Sequence, residues 1–184
     1  MSKNDNLYFI ALIPQQELCD EINNFKNDFA KRFNSKKALK VMPHITLKAP
    51  FKLTADVHAD LLKWFANLHF TGQAFTVELK DFGAFQNGHR PVVFINPVMN
   101  NELSSLQKTI ITSFNNYCPE QAHSTDLQFK PHITIAYRDL SLQQFHEAWK
   151  EYKTKHFHAL FEVTGVCLLQ HDTRQWNIVL KNSL

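Results

Sequence analysis

The sequence predicts an α+β fold of two similar halves, with antiparallel sheets lining a central cleft and helices on the outside. Three observations predict it. The tetrapeptide Pro-His-Ile-Thr occurs twice, at 43–46 and 131–134. The same order of elements surrounds both copies: helix, motif strand, helix, strand, turn, strand. The strand signals come in hairpin-like pairs, which argues against a doubly wound parallel sheet.

Leu7–Ile13 is a short apolar run stopped by Pro14 and reads as a buried strand. Leu18, Ile22, Phe25, Phe29 and Phe33 recur at helical spacing and predict a first amphipathic helix. His44–Lys48 is the first motif strand. Thr54 stands where it can cap a second helix, whose apolar stripe is Val57, Leu61, Phe65 and Leu68. Phe75–Leu79 alternates like a half-buried strand, and a glycine-containing link, Gly83–Gly88, leads to a strand over Val92–Asn96.

The second half repeats this plan. Leu103, Leu106, Ile110, Phe114 and Tyr117 mark a third helix, and Phe129–Tyr137 is the second motif strand. Ser141 and Gln144 form a capping-box pattern ahead of Leu142, Phe145, Trp149 and Tyr152. Phe161–Leu169 and Trp176–Leu180 are the closing strands. Phe75-Thr-Val77 parallels Phe161-Glu-Val163, and Arg90 precedes its strand as Arg174 does. The whole chain, 1–184, is therefore expected to form one two-lobed domain. Its repeat halves would be 14–97 and 100–184, with an added first strand at 7–13.

Composition sets outer bounds. Apolar residues make up 44% and include 16 Phe, enough for a sizeable core. A net charge of +3 permits an anionic partner, but no basic block is dense enough to grip duplex DNA. Cys19, Cys118 and Cys167 are far apart and form no CxxC pair, as expected of reduced thiols. The polar segment Met1–Asn6 has no secretory h-region, and no run of residues approaches a membrane span. A soluble, cytoplasmic protein is expected, and nothing requires more than a monomer.

The repeated motif carries the chemistry. Along a strand, alternate side chains share a face, so His44 and Thr46 point one way and Ile45 and Leu47 the other. The same holds for His132 and Thr134 against Ile133 and Ile135. Each half would pack its apolar face and present an imidazole and a hydroxyl, and the two polar faces would meet across the cleft. Continuing each strand adds Lys48 and Arg138 to those faces, provided neither strand bulges. Cleaving a phosphodiester needs one proton removed from the attacking oxygen and one given to the leaving oxygen. Two histidines supply that pair near neutral pH. Threonine hydroxyls can hold non-bridging oxygens, and nearby positive charge stabilises the transition state.

The remaining eight histidines lack a repeated context and are read as structural. His156 and His158 have no acidic or cysteine partner at ligand spacing, so no metal site is expected. Arg90 and Arg174 read most plainly as solvated turn residues; the sharper reading is phosphate contact at the cleft rim.

The two HxTx motifs, 88 positions apart (44 to 132), resemble those of the two-histidine phosphoesterase superfamily. That group includes bacterial 2'-5' RNA ligase-like proteins and RNA 2',3'-cyclic phosphodiesterases. The resemblance covers nearly the whole chain, because the duplicated element order is also similar to that fold. Pro43-His-Ile-Thr-Leu-Lys-Ala-Pro-Phe51 is similar to the short bacterial branch; the RNA ligase branch tends to continue with Phe-Leu-Gly. Asp81-Phe-Gly-Ala-Phe85 looks like the strand before the family's substrate-side loop, which places Phe85 beside the substrate. The resemblance implies a metal-independent phosphoesterase with no cofactor, acting on RNA ends or a small nucleotide bearing a cyclic phosphate. By resemblance His44 is the proton donor and His132 the acceptor. Two alternatives stay open: a module that binds RNA ends or nucleotides without turnover, and a 2'-5' RNA ligase, which would run the same chemistry in reverse. No Walker-type glycine loop is present, so ligation would start from a preformed cyclic phosphate.

Overall fold

The computed structural model of the chain describes residues 5–70, 72–86 and 88–184. Residues 1–4 of the polar N-terminal segment and position 87 of the Gly83–Gly88 link lie outside the described residues. The elements run β1 (Asp5–Leu12), α1 (Gln16–Arg32), β2 (Ile45–Thr54), α2 (His58–Ala66), β3 (Phe75–Phe85) and β4 (Val92–Pro97). They continue with α3 (Asn101–Tyr117), β5 (Ile133–Ala136), α4 (Leu142–Tyr152), β6 (His158–Val163), β7 (Gly165–His171) and β8 (Trp176–Ser183). The fold is α+β, as expected. Two four-stranded antiparallel sheets have the orders β2-β1-β7-β8 and β5-β4-β3-β6.

The helices begin where local chemistry favours a start. The Asn100 side chain accepts from the Leu103 N–H at 2.8 Å and caps α3. The Ser141/Gln144 capping box forms at the head of α4. Thr54, in contrast, makes no side-chain cap, because β2 runs on to it and a 3-10 turn (Ala55–Val57) intervenes before α2. Apolar stripes from the helices and the inner sheet faces merge into one large core, which includes Ile22, Phe29, Leu61, Phe65, Phe114 and Phe145.

The chain exchanges strands between its halves. The expected strand Phe161–Leu169 is two strands, broken at Thr164 and assigned to different sheets: β6 pairs with β3, and β7 with β1 and β8. Gly165 permits the switch, since a Cβ there would lie 2.6 Å from the Asn182 carbonyl oxygen. The parallel segments Phe75–Val77 and Phe161–Val163 turn out to be cross-strand partners, Phe75 opposite Val163 and Val77 opposite Phe161. In each sheet the strand beside the motif strand, β1 or β4, is flanked on its other side by a strand from the opposite half. The sheet order thus matches β1 with β4. The repeated unit is strand, helix, motif strand, helix, starting at β1 and at β4, and the segment 7–13 is part of it rather than an addition.

The motif strands also start later than expected; β5 is shorter than Phe129–Tyr137, whereas β2 runs past Lys48 to Thr54. Each begins at the isoleucine, so His44 and His132 stand one residue before the ladder. Both then bulge one residue past the threonine. Ala11 pairs with Thr46 but Ile10 with Lys48, skipping Leu47; Phe94 pairs with Thr134 but Val93 with Ala136, skipping Ile135. The bulge removes Lys48 from the His44 face. Its side chain is fully buried on the helix side, where Nζ donates to Asp126 Oδ2 at 2.6 Å and to the Gln121 carbonyl at 2.9 Å, 4.7 Å from the Phe114 ring centroid.

That pair anchors the loop that leads into the second motif. Asp126 also accepts the His123 N–H at 3.1 Å. Removing one partner of a buried ion pair strands the other charge. Asp126→Ala is therefore expected to lower stability by about 3–5 kcal/mol, read as a drop in the urea midpoint. Joint replacement, Lys48→Met with Asp126→Leu, should restore most of the loss; an unchanged midpoint in Asp126→Ala would remove the anchoring role.

Candidate active site

Both motif histidines are held by the same backbone device. His44 Nδ1 lies 2.7 Å from the Met42 carbonyl oxygen, and His132 Nδ1 lies 2.8 Å from the Lys130 carbonyl oxygen. A carbonyl only accepts, so each Nδ1 carries the proton and each Nε2 keeps a free lone pair. The proline between carbonyl and histidine fixes its own φ and holds the residue before it extended. Rings and tautomers are therefore set alike in the two halves.

A cavity of about 140 Å³ opens beside the first motif. Its polar wall holds His44, Thr46, Thr134, Arg138, Tyr137 and Lys26. Phe9 and Trp176 supply an apolar wall, with Phe9 5.0 Å from the His44 ring and 4.5 Å from Trp176 between centroids. The two threonines thus come together from the two sheets, and among the described residues neither hydroxyl has a protein hydrogen-bond partner. Arg138 arrives from beyond the end of β5, at φ 57°, with its guanidinium 5.1 Å from the Tyr137 ring centroid. Its position comes from this turn and not from strand alternation.

His132 is not part of that cavity wall. It packs against Phe85 and Phe94, at 5.2 and 5.5 Å between centroids. When His132 is protonated, it disfavours a second proton on His44. Gly83, expected in a link, lies inside β3 opposite Phe94. A Cβ at Gly83 would come within 2.5 Å of the Phe94 ring, so the glycine leaves room for the ring that backs His132. Phe85, expected on the substrate side, lies against the second histidine. Lys48 is absent from the site for the reason given above. Arg90 is exposed and forms no part of the cavity wall, which favours its reading as a solvated turn residue.

Sequence reasoning missed Lys26. It is 1% exposed, its Nζ donates to the Val41 carbonyl at 2.8 Å, and it lines the cavity with His44. No carboxylate pairs with it among the described residues. Burial pushes its pKa down to about 8, so it is mostly charged at neutral pH. The signal was present: Lys26 follows Ile22 by four positions and precedes Phe29 by three, inside the apolar stripe of α1. A lysine on a buried stripe marks a charge that needs a partner.

Burial dominates the histidines as well. It pushes His44 down to about 4, with the positive charges of Lys26 and His132 adding to the effect against the Met42 hydrogen bond. Burial also lowers His132, against its own carbonyl bond. Both shifts favour the neutral rings at pH 7.

Comparisons with known proteins agree with this architecture. Residues 14–175 match the model of a family described as the 2'-5' RNA ligase superfamily. A protein of Geobacillus thermodenitrificans named "Putative phosphoesterase" is 29% identical over 157 residues, 85% of this chain and 82% of its own. A protein of the same name from Bacillus pumilus is 27% identical over 129 residues, 70% of this chain and 68% of its own. Among solved structures, TT0787 of Thermus thermophilus superposes with a TM-score of 0.70 at 19% identity, over 97% of each chain. LigT of E. coli complexed with 3'-AMP gives 0.71 at 17%, over 98% of each. These structural likenesses concern the fold. No helix among the described residues is long and apolar enough to cross a membrane.

Lys26 yields a direct test. An anion at 100 times its dissociation constant stabilises a folded protein by about 2.7 kcal/mol. Inorganic phosphate should therefore raise the melting temperature of the wild type by several degrees. Lys26→Met should melt no lower than the wild type without phosphate, since a costly buried charge is gone and water in the cavity can satisfy Val41. It should also lose the phosphate-dependent rise; a full rise would remove Lys26 from the anion site.

Proposed function

The chain belongs to the 2'-5' RNA ligase superfamily, and on that premise we propose that it is a phosphoesterase that opens a 2',3'-cyclic phosphate, or a related RNA-type phosphodiester, by paired-histidine acid–base catalysis without a metal. The observation that carries the reading is the duplicated histidine geometry. Two imidazoles, one from each half, have Nδ1 tied to a carbonyl and Nε2 left free. The phosphoesterase names of the relatives point the same way.

The roles are those the resemblance implies. His132 takes a proton from the attacking water. His44, whose pKa burial pushes down, is a ready acid once protonated and gives its proton to the leaving 2' or 3' oxygen. The P–O bond to the water oxygen forms, the ring P–O bond breaks, and one proton moves at each end. The anionic phosphate, drawn in by Lys26 and Arg138, offsets the positive field that keeps His44 unprotonated in the empty site. Thr46 and Thr134 donate to non-bridging oxygens, and Phe85 packs behind His132 on the substrate side. By microscopic reversibility the same groups serve ligation, and product analysis on RNA halves separates the two directions.

His44→Ala and His132→Ala are each expected to lower kcat by about 10²–10⁴-fold on a cyclic-phosphate nucleotide panel. Turnover by the wild type should persist in EDTA. Full activity in either variant, or its complete loss in EDTA, sinks the proposal. The productive form needs a proton on His44 and none on His132. With His44 near 4 and the ordinary histidine value about 6.5, kcat/KM should trace a bell on the acidic side of neutrality, its limbs belonging to the pair. Lys26→Met removes a positive charge that holds His44 down, so the low-pH limb should move up.

A further inference from the structure

A second cavity, of about 190 Å³, adjoins the catalytic one and shares Val41, Tyr137, Arg138 and Trp176 with it. Its remaining wall is basic: Lys37, Lys40, Arg174 and His171. Lys37 and Lys40 come from the 3-10 turn Lys37–Lys40, Arg174 from the turn between β7 and β8, and His171 from the end of β7. None of Lys37, Lys40, Arg138 and Arg174 takes part in an ion pair among the described residues.

The neighbouring carboxylates are already engaged. Asp139 accepts from the Ser35 hydroxyl and from the Lys36 and Lys37 N–H groups, at 3.0, 2.8 and 3.0 Å. Asp172 accepts from the Arg174 and Gln175 N–H groups and the Asn177 amide, at 2.9, 2.8 and 2.8 Å. Those bonds hold the two turns in shape and direct the long basic side chains elsewhere. His171 Nδ1 accepts from the Thr173 N–H at 3.1 Å, which leaves its Nε2–H as a further donor. The cavity therefore gathers donors and positive charge but contributes no carboxylate of its own.

We propose that this second cavity is a subsite for the phosphate on the 5' oxygen of the nucleotide whose cyclic phosphate is opened next door. The inference rests on the phosphoesterase reading and extends it to a substrate class. A nucleoside carries its 3' and 5' phosphates at different ends of one ribose, and the two adjoining cavities share Tyr137 and Trp176 in their walls. Those two aromatic rings offer faces on which the base can stack. Arg138 belongs to both cavities and bridges the two anions. The ligand is thus the end of an RNA chain, or a nucleotide with its own 5'-phosphate, in preference to a bare nucleoside cyclic phosphate. Arg174 acquires a role here that Arg90 lacks.

Calorimetric titration with stable product analogues tests the subsite without relying on turnover. Adenosine 3',5'-bisphosphate should bind the wild type at least 10-fold more tightly than 3'-AMP. Lys40→Ala combined with Arg174→Ala should erase that advantage and leave 3'-AMP affinity unchanged. Equal binding of the two ligands by the wild type, or an equal loss for both in the variant, overturns the subsite. A companion assay compares adenosine 2',3'-cyclic phosphate with its 5'-phosphorylated form and with the dinucleotide ending in the same cyclic phosphate. A KM advantage for the dinucleotide alone assigns the subsite to an RNA diester, and one shared with the 5'-monoester assigns it to any 5'-phosphate. No KM advantage for either overturns it. If the bisphosphate preference holds and no cyclic phosphate is turned over, the catalytic reading fails while the subsite stands.

Discussion

Regular pairing stops at the same step in both motif strands, one residue past the threonine, and the layout of the site follows from that step. Before the bulge, alternation holds: isoleucine into the core, threonine toward the cleft. After it the chain is out of phase, so two consecutive residues, Leu47 and Lys48 or Ile135 and Ala136, are buried. The bulge confines the cleft-facing part of each motif to a histidine and a threonine. Charge then has to come from elsewhere: Lys26 from a helix, Arg138 from a turn. A bulge beside a reactive site is a common way to re-aim side chains. Its presence at matching positions in both halves makes it part of the repeated unit.

The electrostatic character of the cleft follows. Among the described residues, the wall of the cavity beside His44 includes no carboxylate, and it buries one lysine without a counter-charge. Such a lysine costs stability in the empty protein and strengthens attraction for an anion that replaces lost water. The charge of Lys26 also disfavours a proton on His44, and the identical Nδ1 bonds hold both rings in the same tautomer. On the proposed reading, proton placement and phosphate binding are linked through these few side chains.

Much of this was legible in the sequence, where local rules govern. The apolar stripes of α1, α3 and α4, the Ser141/Gln144 box and the polarity of each Pro-His-Ile-Thr copy depend on residues a few positions apart, and the structure matches them except at Leu142, which is exposed at the head of α4. Lys48 was misplaced because a bulge is a property of two paired strands and leaves no mark in one of them. The split at Thr164 and the exchange of β3, β7 and β8 between halves were hidden for a related reason: pairing partners are distant in sequence. Gly83 was taken for turn chemistry, whereas its lack of a Cβ serves the ring of Phe94 across the sheet. Lys26 is legible as a charge interrupting the apolar stripe of α1, but its aim into the cavity depends on packing between elements distant in sequence.

The central place of β1 in its sheet bears on how the protein is made. Tyr8–Leu12 is buried throughout and lies between β2, which follows soon after, and β7, which begins at Gly165. A ribosome adding about 5–20 residues per second needs on the order of 10–30 s to travel from one to the other. Through that interval an apolar strand edge stays open, and an open edge recruits strands from other chains. A nascent chain cut short before β7 would therefore yield clumping material in place of a smaller working lobe, and efficient production depends on shielding of the N-terminal segment until the last strands emerge.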